Sequence, residues 1–317
     1  MPWVHNLLKG SPITKIFEQR MGSFPRRARE LIQKRKANGA TKALDREDLL
    51  SQILDTQNKH PGVVDERVMH GYATTPLLAG ADTVTCGLTS VVYFVGKHPE
   101  VAVKLRAELD ASGLQMPPSW AAVQELQYLD AVIREAFRCH PIGAMLSRRA
   151  VPYEGPGLTL KDGRRLPPGT AVAVSGWATH FNEDVYGDDA HEYKPERWLR
   201  GPAENESDYS NRLRRMNKAD LTWGAGDRAC MGKNIARCEM YKLVATLYSL
   251  FDVSHHRHGL SWRPSRKLTF HQIDLDDPAK EWQIKETVLA KQQGVEARIK
   301  LRPGASLDQL AQVEKLV

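Results

Sequence analysis

A chain of 317 residues, 41% hydrophobic and 26% charged, is long enough for one large domain or two ordinary ones and too apolar to be disordered. Its net charge of +7 comes from dispersed Lys and Arg without interleaved aromatics, so a nucleic-acid surface is not expected. Cys86, Cys139, Cys230 and Cys238 show no paired spacing and no Cys-x-x-Cys, which argues against a disulfide scaffold or structural zinc and suits a reducing compartment or the cytosolic face of a membrane.

The N-terminal run from Met1 to Lys9 has no basic region followed by a long apolar core, so no signal peptide or anchor is expected there. Helices are expected over 13–21, 25–36 and 46–56, with His60-Pro61-Gly62 breaking the last. A long helix is expected over 70–96, ending before His98-Pro99. Between residues 74 and 96 the one charge is Asp82, and that length would cross a bilayer. Gly80, Asp82, Thr83, Thr85, Thr89 and Ser90 make it too polar to face lipid, so it reads as a buried helix of a large α-rich core.

Further helices are expected over 100–112 and 121–139, the second stopping at Pro141. From 150 to 175 short β-like runs, 158–160 and 171–174, are separated by glycine and proline turns and read as hairpins. Residues 200–222 read as polar and irregular. A last helix is expected over 233–250, then strands near 268–271, 282–286 and 295–301. There is no internal repeat.

Three motifs carry chemistry. Trp223-Gly-Ala-Gly-Asp-Arg-Ala-Cys-Met-Gly232 places Cys230 in a glycine-rich loop that runs into a helix start. Thiolates need electropositive surroundings and backbone N–H groups, and such a loop supplies both. It can present one axial sulfur to a metal whose other ligands come from a macrocycle. The bland alternative is a small buried hydrophobe.

Glu135-Ala-Phe-Arg138 puts a carboxylate and a guanidinium on one helix face, where they can pair and aim at a third group. Most such pairs are ordinary surface salt bridges. Ala79-Gly-Ala-Asp-Thr83 sets an acid beside an alcohol in an apolar helix, an expensive arrangement unless both are satisfied or used. Thr83 could bond back to the carbonyl of Ala79, opening the helix beside Gly80 for a small ligand; a satisfied core threonine is the plainer reading. Arg212, Arg214, Arg215 and Lys218 form a basic cluster, either a solvated loop or a docking patch for an acidic electron donor.

The cysteine loop resembles that of the cytochrome P-450 family of haem-thiolate monooxygenases, Phe-x-x-Gly-x-Arg-x-Cys-x-Gly. Trp223 replaces the phenylalanine, Gly226, Arg228, Cys230 and Gly232 match, and Gly224 fits. The resemblance implies that Glu135 and Arg138 belong to the family's K helix. Arg197 of Pro195-Glu-Arg-Trp198 would close a buried three-residue network with a structural role. It places Asp82 and Thr83 in the I helix, relaying protons for dioxygen cleavage, although Val84 departs from the family's following Thr or Ser. Arg148 and Arg228 would meet haem propionates. Leu166-Pro-Pro-Gly-Thr170 and Ala178-Thr-His180 follow the family's course.

The likeness covers 70–317, is weaker over 1–69, and is nearest to fungal microsomal members. It implies a mainly α fold with small β-sheets: the C-terminal part of the cytochrome P-450 fold, including the I, K and L helices and the cysteine loop. Residues 1–69 would be a partial helical segment like the G and H helices, and 70–317 the haem-binding core. The membrane anchor, the first strands, the early helices and a propionate-binding Trp/Arg pair of the family have no counterpart in 1–69, so the chain is expected to be N-terminally truncated. The implied cofactor is haem b with an axial cysteine thiolate. The implied partners are an NADPH-cytochrome reductase-type electron donor, dioxygen and a small apolar substrate of secondary metabolism or detoxification. A non-catalytic remnant with impaired haem binding is the alternative. A cysteine hydrolase is disfavoured, since no histidine stands in a partner context.

Overall fold

The computed structural model describes residues 23–37, 48–143, 148–252, 271–275, 281–286, 289–293, 295, 297–302 and 305–306. The helix expected over 13–21, the start of that over 46–56, and residues 268–270 of the tail lie outside them. The chain divides into two units, one ending at Asp82 and the other beginning at Thr83.

The smaller unit holds α1 (Ser23–Ala37), α2 (Leu49–Lys59) and the first half of α3 (Glu66–Lys97). Ile32, Ile53, Leu54, Val64 and Met69 form its core. Asp48 caps α2 by accepting from the Ser51 N–H at 2.8 Å, and Arg35 Nη2 donates to its other oxygen at 2.6 Å. That guanidinium holds the Asp48 carboxyl at about 2, well below its usual range.

Helix α3 is long and apolar enough to cross a membrane by length and composition, as many core helices are. Its expected burial holds for the second half, where Val91 and Val95 are fully buried. The first half is amphipathic, with Met69 inside and Tyr72 exposed, because polar residues recur there at helical spacing. The expected opening at Gly80 is not found: the helix runs unbroken through 79–83, although Pro76 removes the N–H that would meet the carbonyl of Tyr72.

In the larger unit, α4 (Pro99–Ala111), α5 (Trp120–Val123), α6 (Gln127–Cys139) and the long α10 (Lys233–Leu250) pack with the second half of α3. Helix α6 is central: Leu129, Val132, Ile133 and Ala136 meet Leu105 and Leu109 of α4 and Val244, Ala245 and Tyr248 of α10, all 3% exposed or less. The sequence reads α5 and α6 as one helix, and the structure breaks it at Leu126. Glu108 of α4 accepts from the N–H groups of Tyr128 and Leu129 at 2.7 and 2.8 Å, starting α6 from outside the segment.

Two short helices, α7 (Gly176–His180) and α8 (Glu183–Tyr186), and the longer α9 (Glu206–Ala219) lie between α6 and α10 in the sequence. Helix α9 corrects the irregular reading of 200–222. Asn205 caps it by accepting from the Asp208 N–H at 2.9 Å, and Met216 is its one buried residue, too thin a stripe to stand out as periodic.

The strands are short. β1 (Arg149–Ala150) pairs with β4 (Ala171–Val172), and β2 (Leu158–Thr159) with β3 (Arg165–Leu166), all antiparallel. β5 (Phe251–Asp252), β9 (Ala297–Leu301) and β6 (His271–Leu275) form a three-stranded sheet in that order. β7 (Gln283–Glu286) pairs with β8 (Ala290–Gln293), a strand the sequence reading lacks.

Candidate functional site

Glu135 and Arg138 face inward from α6, 0% and 1% exposed. Arg138 Nε and Nη2 donate to the two Glu135 oxygens at 2.9 and 2.7 Å. Its other donors reach the carbonyls of His180, Ala190 and Glu192 at 2.8, 2.6 and 2.9 Å. Arg197 Nε donates to Glu135 at 3.2 Å, while Nη1 meets Asp189 Oδ1 at 2.5 Å. Burial lowers the Arg138 pKa, but the Glu135 carboxylate outweighs it, so the guanidinium sits above its ordinary value. Sequence reasoning missed three members of this network. Trp198 Nε1 donates to Glu135 at 2.8 Å, the Lys194 N–H does so at 3.1 Å, and Asp189 anchors Arg197. Trp198 stood in the quoted Pro-Glu-Arg-Trp segment, so its indole was the available signal.

The cysteine loop is shaped by its backbone. Cys230 N–H donates to the Trp223 carbonyl at 2.7 Å, closing the loop, and Gly224 N–H donates to that of Leu221 at 2.9 Å. Gly224 and Gly226 take φ of 69° and 61°, a left-handed conformation that side chains resist. Gly232 precedes α10, where a Cβ would touch Cys230 Sγ at an ordinary 3.8 Å. The Trp223 ring meets Phe137 edge-on at 6.0 Å, tying the loop to α6. Cys230 itself is exposed, whereas Cys86 and Cys139 are buried, and burial pushes the Cys139 thiol up.

One cavity of about 570 Å³ brings most of the expected site together. Among the described residues its wall includes Thr83 and Val84 of α3, Phe137 of α6, Arg148, and Trp223, Gly224, Arg228 and Cys230 of the loop. Ile142, Leu289, Ala236 and Met240 make the rest largely apolar. Gly226 and Gly232 shape the loop without lining the cavity, and the Glu135 network lies apart from it. Asp82, half-buried, precedes Thr83 at the division between the units. The basic cluster splits: Arg212 is bound to Glu204 at 2.7 and 2.8 Å and to the Leu199 carbonyl at 2.9 Å, while Arg214, Arg215 and Lys218 stay exposed on α9.

A family model described as Cytochrome P450 matches residues 3–272. Cytochrome P450 monooxygenase cfoH of Aspergillus candidus is 36% identical over 96% of this chain and 53% of its own length. Cytochrome P450 monooxygenase vrtE of Penicillium aethiopicum is 32% identical over 87% of this chain and 54% of its own. The crystal structure of a cytochrome P450 superposes with a TM-score of 0.67 at 23% identity, covering 91% of this chain and 57% of that one, a likeness of fold. The chain belongs to the cytochrome P450 family. Its mainly helical architecture with small antiparallel sheets is that family's fold. The chain spans about half the length of the curated relatives it matches.

The family implies haem with cysteine thiolate ligation. The residues present fit such a group. The cavity volume lies within the roughly 300–1,000 Å³ of cofactor sites. One cysteine sulfur stands on its wall among apolar side chains, with two guanidinium groups, Arg148 and Arg228, that make no ion pair among the described residues. Such cations suit carboxylates of a bound group.

Proposed function

We propose that this chain is the haem-binding core of a monooxygenase that inserts one oxygen atom of dioxygen into a small apolar substrate, with residues 70–317 as the core and 1–69 as a partial helical segment. The observation that carries this is the shared cavity wall of Thr83, Arg148, Arg228 and Cys230. Cys230 Sγ would ligate the iron of haem b, and Arg148 and Arg228 would hold its propionates. Trp223, Gly224, Gly226 and Gly232 fix the loop that aims the sulfur. When bound, the haem supplies the reductive activation of dioxygen.

The protein's own share is orientation and protons. Thr83 would hold a proton at Oγ1 on the cavity wall, and Asp82 would resupply it. Val84, Phe137, Ile142 and Leu289 would exclude water and favour an apolar substrate. In the balance, substrate R–H, dioxygen, NADPH and a proton give R–OH, water and NADP⁺, so two electrons must arrive from a reductase. Family members generally use a redox partner and dioxygen. An NADPH-cytochrome reductase-type flavoprotein is the donor proposed here, and Arg214, Arg215 and Lys218 offer it a basic surface. Related monooxygenases from fungi support a substrate of secondary metabolism.

The alternative is a remnant that binds haem poorly and does not turn over. Isotopically labelled dioxygen separates the two. Haem-loaded chain given NADPH, a flavoprotein reductase and a panel of polycyclic aromatic probes should yield a product carrying one labelled oxygen. Failure to load haem, or only unlabelled products from the loaded chain, would favour the remnant.

A further inference from the structure

We propose that His180 is a positioning residue that fastens the entrance of the cysteine loop to the buried ion network, through a neutral imidazole carrying its proton on Nδ1. The side chain is 0% exposed at the end of α7, between α6 and the segment leading into the loop. The Leu221 N–H can only donate, and it points at His180 Nε2 across 2.8 Å, so that nitrogen must keep its lone pair. Nδ1 lies 3.2 Å from the Arg138 carbonyl, which can only accept, so Nδ1 must carry the hydrogen. One tautomer of the neutral ring satisfies both bonds, and the charged ring satisfies one.

The bonds on either side show what this fastens. Arg138 Nη1 donates back to the His180 carbonyl at 2.8 Å, so histidine and network hold each other. Downstream, the Leu221 carbonyl accepts from Gly224, and the Trp223 carbonyl accepts from Cys230. Leu221, Trp223 and Cys230 all stand on the cavity wall; His180 does not. Its influence on the sulfur therefore runs through the backbone, which makes it a positioning and not a catalytic residue.

Protonation would set an Nε2–H against the Leu221 N–H, two donors facing each other, and the bond would be lost. The charged groups facing the ring are Asp220 from the loop segment, whose Oδ1 is 3.6 Å from Nε2, and Arg138 from α6. Burial disfavours the charged ring more than Asp220 favours it, so the His180 pKa is lowered from 6.5. The fastening is thus complete above that value and weakens as pH falls through the lowered one.

The inference rests on reading Cys230 as a haem ligand, so its test has one arm without haem. In the 317-residue chain, hydrogen exchange is followed for the amides of Leu221–Gly224 in wild type, His180→Leu and His180→Gln. His180→Leu should speed exchange there about tenfold at neutral pH, the effect of losing one hydrogen bond, while α6 stays protected. His180→Gln, which can still accept and donate but does not titrate, should restore protection and remove its acid sensitivity. In haem-loaded protein the reduced carbon-monoxide complex should keep its red-shifted Soret band to lower pH in His180→Gln than in wild type. Equal protection in all three chains overturns the proposal. If His180→Leu does not fold, identical acid dependence of exchange in wild type and His180→Gln overturns it instead. Failure of every chain to bind haem would sink the reading of Cys230 and leave the exchange comparison to decide the role of His180.

Discussion

Glu135 and Cys230 belong to the same unit, yet their surroundings are opposites. Glu135 is fully buried and accepts from Arg138, Arg197, Trp198 and a backbone N–H. Cys230 is exposed on a cavity wall, its position fixed by backbone bonds and two left-handed glycines. The network closes on protein groups alone, whereas the loop opens onto the cavity that we propose holds haem. Network substitutions should therefore cost stability and take cofactor binding down with it, whereas loop substitutions should weaken cofactor binding with little loss of stability.

The largest effect should come from Glu135→Ala, which removes the carboxylate shared by two buried guanidinium groups and an indole N–H. Removing one partner of a buried ion pair costs about 3–5 kcal/mol, and urea unfolding should register it; haem incorporation should be abolished with it. A soluble, haem-replete Glu135→Ala chain would erase the contrast. Trp198→Phe should cost less, about 1–3 kcal/mol, because it removes one donor and leaves the ion pairs intact.

Cysteine-loop variants should behave the other way. Gly226→Ala forces a side chain into φ of 61°, a strain of about 1–2 kcal/mol. It should weaken haem binding several-fold with a smaller change in unfolding of the haem-free chain. A Gly226→Ala chain that binds haem as wild type would show that the loop conformation is not what the cofactor requires. Thr83→Ala should change stability least, and it should divert reducing equivalents to hydrogen peroxide in the haem-loaded enzyme. Unchanged coupling would remove Thr83 from the proton path.

Acid should also discriminate. His140 and His180 are both buried, burial lowers both pKa values from 6.5, and each unfolded imidazole would bind its proton first. Their contribution is complete above that value and is lost as pH falls below it. His140 Nε2 meets the Ala290 carbonyl at 2.7 Å and so bears on the β7–β8 hairpin, whereas His180 bears on the cysteine loop. Replacing both by glutamine should flatten the stability profile below about 6.5; an unchanged slope would assign it to carboxylates such as Asp48.

The same contrast explains what could be read from the sequence. Trp223–Gly232 was legible because a tight loop needs glycines at fixed offsets, so conformation is written locally. The Glu135–Arg138 pair was legible because residues three apart share a helix face. Trp198, Asp189 and the Lys194 N–H joined that pair from distant segments, and no spacing announces such contacts. The break between α5 and α6 was hidden for the same reason, since its cap, Glu108, lies on another helix. Helix α9 escaped because one buried methionine leaves no apolar period, and the expected opening of α3 at Gly80 failed because the helix continues through it.

The central claim is that the cavity holds haem through the sulfur of Cys230. The direct measurement is the absorption spectrum of the reduced carbon-monoxide complex in haem-supplemented chain, wild type against Cys230→Ser. The account predicts the red-shifted Soret band of thiolate-ligated haem in wild type and its loss in the variant, with the Glu135 network and the unfolding of the haem-free chain unaffected. A wild-type chain without that band, or a Cys230→Ser chain that retains it, would contradict it.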